Sequence, residues 1–241
     1  MTIFIAIYLI ALFCYFFTRT SENIKHRAIN KYIMATMYFV LAIITFFKKY
    51  DFVSYQTLLI AALILAWLGD IFLVFDFGRG GDFFLAGNIC FALYEQIILV
   101  KHGHTIKETY WVFVVAALMA LAFYLACTYM PETFKLGKMK GLITFYLCSI
   151  FTHGLNGLCM AILLPGTPYV MMGIGSFLFM ISDMILMTYK FVVGPNKWLV
   201  RLNSLTYFLK KVINAKTRYI VAKMYLLMAR YLIFSEVLVK K

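Results

Sequence analysis

Eight runs of apolar residues, most of them near the ~17–25 residues that carry a helix across a bilayer, decide what this chain can become. They fall at Thr2–Phe17, Tyr32–Phe47, Phe52–Phe75, Phe83–Val100, Thr109–Tyr129, Gly141–Leu164, Pro168–Phe191 and Tyr219–Val239. Hydrophobic residues are 64% of the 241 and charged residues only 14%, too few to cover the surface of a water-soluble domain. The chain therefore reads as all-α: one transmembrane domain over residues 1–241, a polytopic bundle of about eight membrane helices. The first run has no basic residue ahead of it and no clear small-residue cleavage site behind it, so it reads as a span rather than a removed signal peptide. The net charge of +13 does not point to nucleic acid, because the basic residues sit in short loops between the runs. There they act as topology signals and contacts to anionic lipid.

Those loops orient the bundle. Loops after the first, third, fifth and seventh runs hold 15 Lys and Arg, with Lys190 placed in the last, against 6 in the other loops and the C-terminal tail. Positive loops stay cytoplasmic, so both termini are expected on the other side. Most links are short, and Leu164-Pro165-Gly166-Thr167-Pro168 is a clear turn. The link over residues 192–218 is long, with Lys197, Arg201, Lys210, Lys211, Lys216 and Arg218 among apolar residues. Its Leu199–Val212 part reads either as a basic amphipathic helix lying on the membrane or as a solvated loop.

Two aspartates stand inside the apolar runs. Asp70 follows Gly69 and precedes Ile71-Phe72-Leu73; Asp183 follows Ser182 and precedes Met184-Ile185-Leu186. A carboxylate at membrane depth is costly unless paired, protonated or facing water. The third and seventh runs point the same way, and Asp70 and Asp183 lie five and seven residues before Phe75 and Lys190. At about 1.5 Å per residue both sit roughly 8–10 Å inside the more basic face, placed to share one cavity. Their matching contexts also hint at duplication of a four-helix unit.

The other polar residues within runs are Glu95, His153, Asn156, Lys223 and Arg230. Glu95 lies somewhat deeper than the aspartates and could face the same cavity. Lys223 and Arg230, seven apart, share a helix face and could neutralise an aspartate or hold a substrate phosphate. Buried ion pairs that fix helix packing are the plain alternative for any one of them. His153 fits a hydrogen-bonder between helices better than a ligand. His102 and His104 make a weak metal case without a Cys or carboxylate cluster, and no metal or cofactor is expected. Cys14, Cys90, Cys127, Cys148 and Cys159 lack CxxC spacing and read as small core residues. Gly78, Gly80 and Gly81 read as a flexible turn beside Arg79 that follows no strand, so nothing supports nucleotide binding.

Gly69-Asp70-x-x-Leu73, Gly87-x-x-x-Phe91, Gly175…Ser182-Asp183-x-x-Leu186 and Tyr225-x-x-x-Ala229-x-x-Leu232-Ile233 together resemble the motifs of the YhhN-type lysoplasmalogenases. The length and eight-span layout are similar too. The resemblance implies an integral membrane hydrolase that cleaves the vinyl ether bond of lysoplasmalogens to a fatty aldehyde and a glycerophospho-base. It implies catalytic roles for Asp70 and Asp183, with Glu95, Lys223 and Arg230 as substrate-binding candidates. Lysophospholipid would be the substrate, and the location the cell (inner) membrane of a bacterium or the endoplasmic reticulum of a eukaryote. The chain departs from the family pattern at Glu95 (or Tyr94), where relatives commonly carry His, and near Arg230, where they carry Gln.

The chemistry suits two carboxylates. A vinyl ether hydrolyses by slow proton transfer to carbon, and water captures the oxocarbenium ion that forms. One carboxyl can donate the proton while the other stabilises the cation and activates water. The competing reading is a small transporter whose membrane aspartates couple to a proton or cation.

Overall fold

A computed structural model of the chain describes residues 24–47, 55–134 and 136–192, with isolated helical positions at 7, 10, 11, 14, 202, 203, 205, 206, 209 and 210. Six long helices follow one another: α1 (Ile24–Phe47), α2 (Gln56–Phe75), α3 (Phe77–Lys101), α4 (Ile106–Tyr129), α5 (Lys140–Leu163) and α6 (Thr167–Phe191). A 3₁₀ turn, Gly137–Met139, leads into α5, and no strand occurs among the described residues. The segments Gln56–Phe75, Phe77–Lys101, Ile106–Tyr129, Gly137–Leu163 and Pro168–Thr188 are each long and apolar enough to cross a membrane, the mark of an integral membrane protein. The expected spans at Thr2–Phe17 and Tyr219–Val239 lie almost wholly outside the described residues, as does most of the residue 192–218 link, so a count of eight and a four-helix duplication are not established.

Helix α5 is the centre. It packs against α3, α4 and α6, while α2 packs on α3 and α1 on α2. Of its membrane segment 61% is buried, against 22% for that of α4. Small residues explain the closeness of α5 and α6. A Cβ on Gly173 would lie 2.2 Å from the Gly157 carbonyl oxygen, and one on Gly157 would lie 2.6 Å from Ser176 Cβ. In lipid, where apolar burial gives little drive, such close backbone approach is a main source of helix association. Helix α1 is fixed to α2 differently. Trp67 Nε1 donates to Thr36 Oγ1 at 3.1 Å, and its ring stacks on Phe39 at 4.9 Å.

One expectation fails at the start of α3. Gly78, Gly80 and Gly81 do not form a flexible turn; they lie in the first turns of the helix. Asp76 links α2 and α3 by itself, and its Oδ1 accepts from Gly78 N at 2.9 Å and Arg79 N at 3.3 Å, satisfying donors that a helix start leaves open. Gly80 is needed because a Cβ there would meet the Leu73 backbone at 2.7 Å. The glycines thus let two helices join across a single residue.

The 192–218 link also carries information. Its described positions are helical, with Asn203 and Thr206 buried and Leu202, Leu205 and Leu209 exposed. The polar side of this stretch faces the protein, and the leucines face outward. The rest of Leu199–Val212 lies outside the described residues.

Candidate functional site

Both aspartates are buried, Asp70 at 4% exposure and Asp183 at 7%. The small residue before each does a different job. At Gly69 a side chain would collide with the Phe84 ring, 2.8 Å from the position of its Cβ. Ser182, by contrast, accepts through its Oγ from Asn203 Nδ2 at 3.3 Å, and its carbonyl accepts from the same amide. The similar contexts therefore do not reflect one repeated packing role.

Each carboxylate has a different immediate partner. Lys31 on α1 places Nζ 3.6 Å from Asp70 Oδ1, both side chains largely out of solvent. On the facing helix α5, the Tyr146 hydroxyl donates to Asp183 Oδ2. The Asn88 side chain also reaches that hydroxyl, and its amide lies 3.5 Å from Ser149 Oγ. Asp183 is within electrostatic range of Asp70, Lys31 and Lys210. Lys210 Nζ sits 2.9 Å over the centroid of the Phe179 ring, one turn from Asp183 on α6. Helices α1, α2, α5, α6 and the 202–210 stretch thus converge on one cluster of two acids, a phenol and lysines.

Toward the end of α6 there is room for an apolar group. A cavity of about 140 Å³ lies between α4, α5 and α6, lined by Leu147, Met184, Met187, Phe123 and Phe134 among others. Leu147 neighbours Tyr146, and Met187 lies one turn beyond Asp183.

Glu95 is elsewhere. It is fully buried, its Oε2 3.1 Å from His153 Nδ1 and its Oε1 accepting from Ser176 Oγ at 2.9 Å. Nearby, Gln96 Nε2 donates to Asn156 Oδ1 at 2.7 Å and Thr109 Oγ1 donates to Gln96 Oε1 at 3.1 Å. His153, read as a hydrogen-bonder between helices, does bond across to α3, with its ring stacked on Phe91 at 5.0 Å. Toward the opposite end, His102 pairs with the Tyr169 hydroxyl at 2.9 Å and His104 with Glu108 at 2.8 Å. Lys223 and Arg230 lie outside the described residues.

Sequence reasoning missed Lys31, Tyr146, Lys210 and Asn203. Lys31 was counted as a loop charge, although it begins the run that returns beside Asp70. Tyr146 had a usable signal. With Ser149, His153 and Asn156 it follows 3-4-3 spacing, one polar stripe down a helix.

Buried acids at one end of a bundle of membrane helices define a polytopic membrane protein with an intramembrane carboxylate site. The sequence model of the YhhN family matches residues 26–215, about four-fifths of the chain, and the protein belongs to that family. Comparison with curated proteins and with solved structures gives no match.

Proposed function

We propose that this YhhN-family protein is a membrane hydrolase cleaving the vinyl ether bond of lysoplasmalogen-type lysophospholipids to a fatty aldehyde and a glycerophospho-base. The observation that carries the reading is the asymmetry of the aspartates: Asp70 faces the Lys31 ammonium, while Asp183 accepts from the Tyr146 phenol with Lys210 in electrostatic range. Neighbouring acids in unlike surroundings divide the work of acid and base. Asp183 is the acid. It donates a proton to the alkenyl carbon remote from the ether oxygen, and the ionised Asp70 stabilises the oxocarbenium ion. Asp70 then takes a proton from water as the water oxygen bonds to the cationic carbon. In the resulting hemiacetal the bond to the glycerol oxygen breaks, Asp70 protonates that oxygen, and the hemiacetal hydroxyl returns a proton to Asp183. The products are aldehyde and alcohol, and both acids regain their starting states.

An apolar cavity toward the end of α6 is close to the ~150 Å³ that accepts a benzene-sized group, room enough for the first carbons of an alkenyl chain. Lys223 and Arg230 keep the substrate-binding role that the sequence suggests. Glu95 we assign instead to helix packing, because His153 and Ser176 occupy its two oxygens. The site is assigned to the side of the basic loops, in the cell membrane of a bacterium or the endoplasmic reticulum of a eukaryote. A transporter reading draws on the second buried titratable pair, Glu95 and His153. One experiment separates the two. Purified protein in detergent, given a lysoplasmalogen, releases stoichiometric aldehyde and glycerophospho-base. Absence of aldehyde from well-folded protein, across choline and ethanolamine head groups, would overturn the hydrolase.

A further inference from the structure

Two buried polar side chains behind Tyr146, Asn88 on α3 and Ser149 on α5, have no part in the chemistry above. Polar groups at that depth are held by hydrogen bonds, and here the bonds have a direction. Ser149 Oγ donates to the Tyr146 carbonyl at 2.7 Å, so toward other neighbours this oxygen can only accept. Asn88, 3.5 Å away, therefore turns its Nδ2 toward it and not its carbonyl oxygen. The Asn88 side chain also reaches the Tyr146 hydroxyl. An amide N–H placed there occupies the phenol oxygen as acceptor, and the single phenol proton is left to point at Asp183 Oδ2, where it is found.

We propose that Asn88 is a positioning residue: it fixes the direction of the Tyr146 hydroxyl, so that the phenol donates to Oδ2 of Asp183 and Oδ1 carries the proton given to the substrate. Use of that proton in catalysis rests on the hydrolase reading; the order of donors and acceptors stands on the geometry alone.

The order matters because a protonated carboxyl has two unlike oxygens, a carbonyl that accepts and a hydroxyl that donates. A phenol free to turn could accept from the carboxyl hydroxyl and keep the proton inside the pair, away from the alkenyl carbon. With Asn88 donating to it, the phenol donates in turn, which makes Oδ2 the carbonyl oxygen and Oδ1 the hydroxyl. In the acid step the Oδ1–H bond breaks and the C=C electron pair forms the new C–H bond. The ether oxygen shares the positive charge left on the adjacent carbon, and Asp183 keeps the O–H electrons as a carboxylate. That new charge meets a hydrogen bond already in place, so no donor has to reorganise. Donors in series polarise one another, and Asn88 thereby strengthens the Tyr146 bond as the charge appears.

The test compares turnover per folded molecule in detergent for the parent, Asn88→Leu, Asn88→Asp, Tyr146→Phe and Asn88→Leu/Tyr146→Phe. Asn88→Leu should lower turnover about fivefold in the parent, the size of one neutral hydrogen bond, and less than twofold in the Tyr146→Phe background. Asn88→Asp, nearly isosteric, replaces the amide donor by a group that accepts from the phenol, and should lower turnover as far as Tyr146→Phe does. The pH profiles of Asn88→Leu and Tyr146→Phe should shift alike, since Asp70, Lys31 and Lys210, which also act on Asp183, are the same in both. Equal losses from Asn88→Leu in the two backgrounds, or parental turnover at lowered stability, would overturn the proposal and make Asn88 a packing residue. The infrared carboxyl band that Asp183→Asn removes reads the same bond without turnover, and should move in the same direction in Asn88→Leu and Tyr146→Phe. Such movement with no aldehyde from the parent would sink the hydrolase and leave the positioning role. Aldehyde release with a band that moves in Tyr146→Phe but not in Asn88→Leu would do the opposite.

Discussion

Two polar clusters lie along the same helices of this bundle, and they are built on different plans. In the cluster around Glu95 the hydrogen bonds run among α3, α4, α5 and α6: His153 and Ser176 bond Glu95, and Asn156 and Thr109 bond Gln96. It is a closed network of the kind that fixes helix register. The cluster around Asp70 and Asp183 instead draws in α1 and the 202–210 stretch and places cations near carboxylates. Burial alone does not separate the two, since Glu95 is more buried than either aspartate. What separates them is that Glu95 is held by bonds to His153 and Ser176, whereas the aspartates sit among lysines and a phenol.

The comparison is broken most violently at Glu95. Glu95→Ala leaves His153 and Ser176 without their shared acceptor in the interior, and removal of one partner of such a buried pair costs about 3–5 kcal/mol. The unfolding temperature in detergent should fall by roughly 6–20 °C, at about 2–4 °C per kcal/mol for a chain of this size. The protein that remains folded should keep turnover within a few-fold. A large loss of turnover at unchanged stability would move Glu95 into the catalytic cluster.

Next in size is Gly173→Ala. The added methyl meets the Gly157 carbonyl and must push α5 from α6, an overpacking cost of about 1–3 kcal/mol. Because Ser176 and Asp183 ride on α6 and His153 and Tyr146 on α5, both clusters should suffer together, as lower thermal stability with lower turnover. Damage to only one would show that they are not carried by a common interface.

Tyr146→Phe should be gentler and confined to the aspartate site. It removes the donor to Asp183 while keeping the ring, and should lower turnover about tenfold, equivalent to about 1.4 kcal/mol. The pH profile of turnover should shift with it, since the hydroxyl acts through the carboxyl it touches. A parental profile and rate would show that Tyr146 serves packing only.

Much of this was legible in the sequence, for reasons that differ by residue. Five apolar runs returned as α2 to α6 with most ends within a few residues, because lipid leaves few alternatives to a helix. Asp70 and Asp183 stood out because a charge in an apolar run is conspicuous. Their partners did not, because pairing is tertiary: Lys31 looked like a topology signal, and Tyr146 looked like one more aromatic among 17 tyrosines. The glycines at the start of α3 read locally as a turn, whereas the close approach of Leu73 that requires Gly80 comes from a neighbouring helix.

The division between a working cluster and a closed one is tested most directly by aldehyde release per folded molecule in three near-isosteric variants, Asp70→Asn, Asp183→Asn and Glu95→Gln, assayed side by side. Each aspartate variant should fall by at least ~100-fold, the lower bound for a general acid or base. The double aspartate variant should fall little further, because groups acting as a unit are not additive. Glu95→Gln should stay within a few-fold of the parent. Near-parental aldehyde release from a folded Asp70→Asn/Asp183→Asn protein, or a ~100-fold loss in Glu95→Gln alone, would contradict the assignment of chemistry to the aspartates.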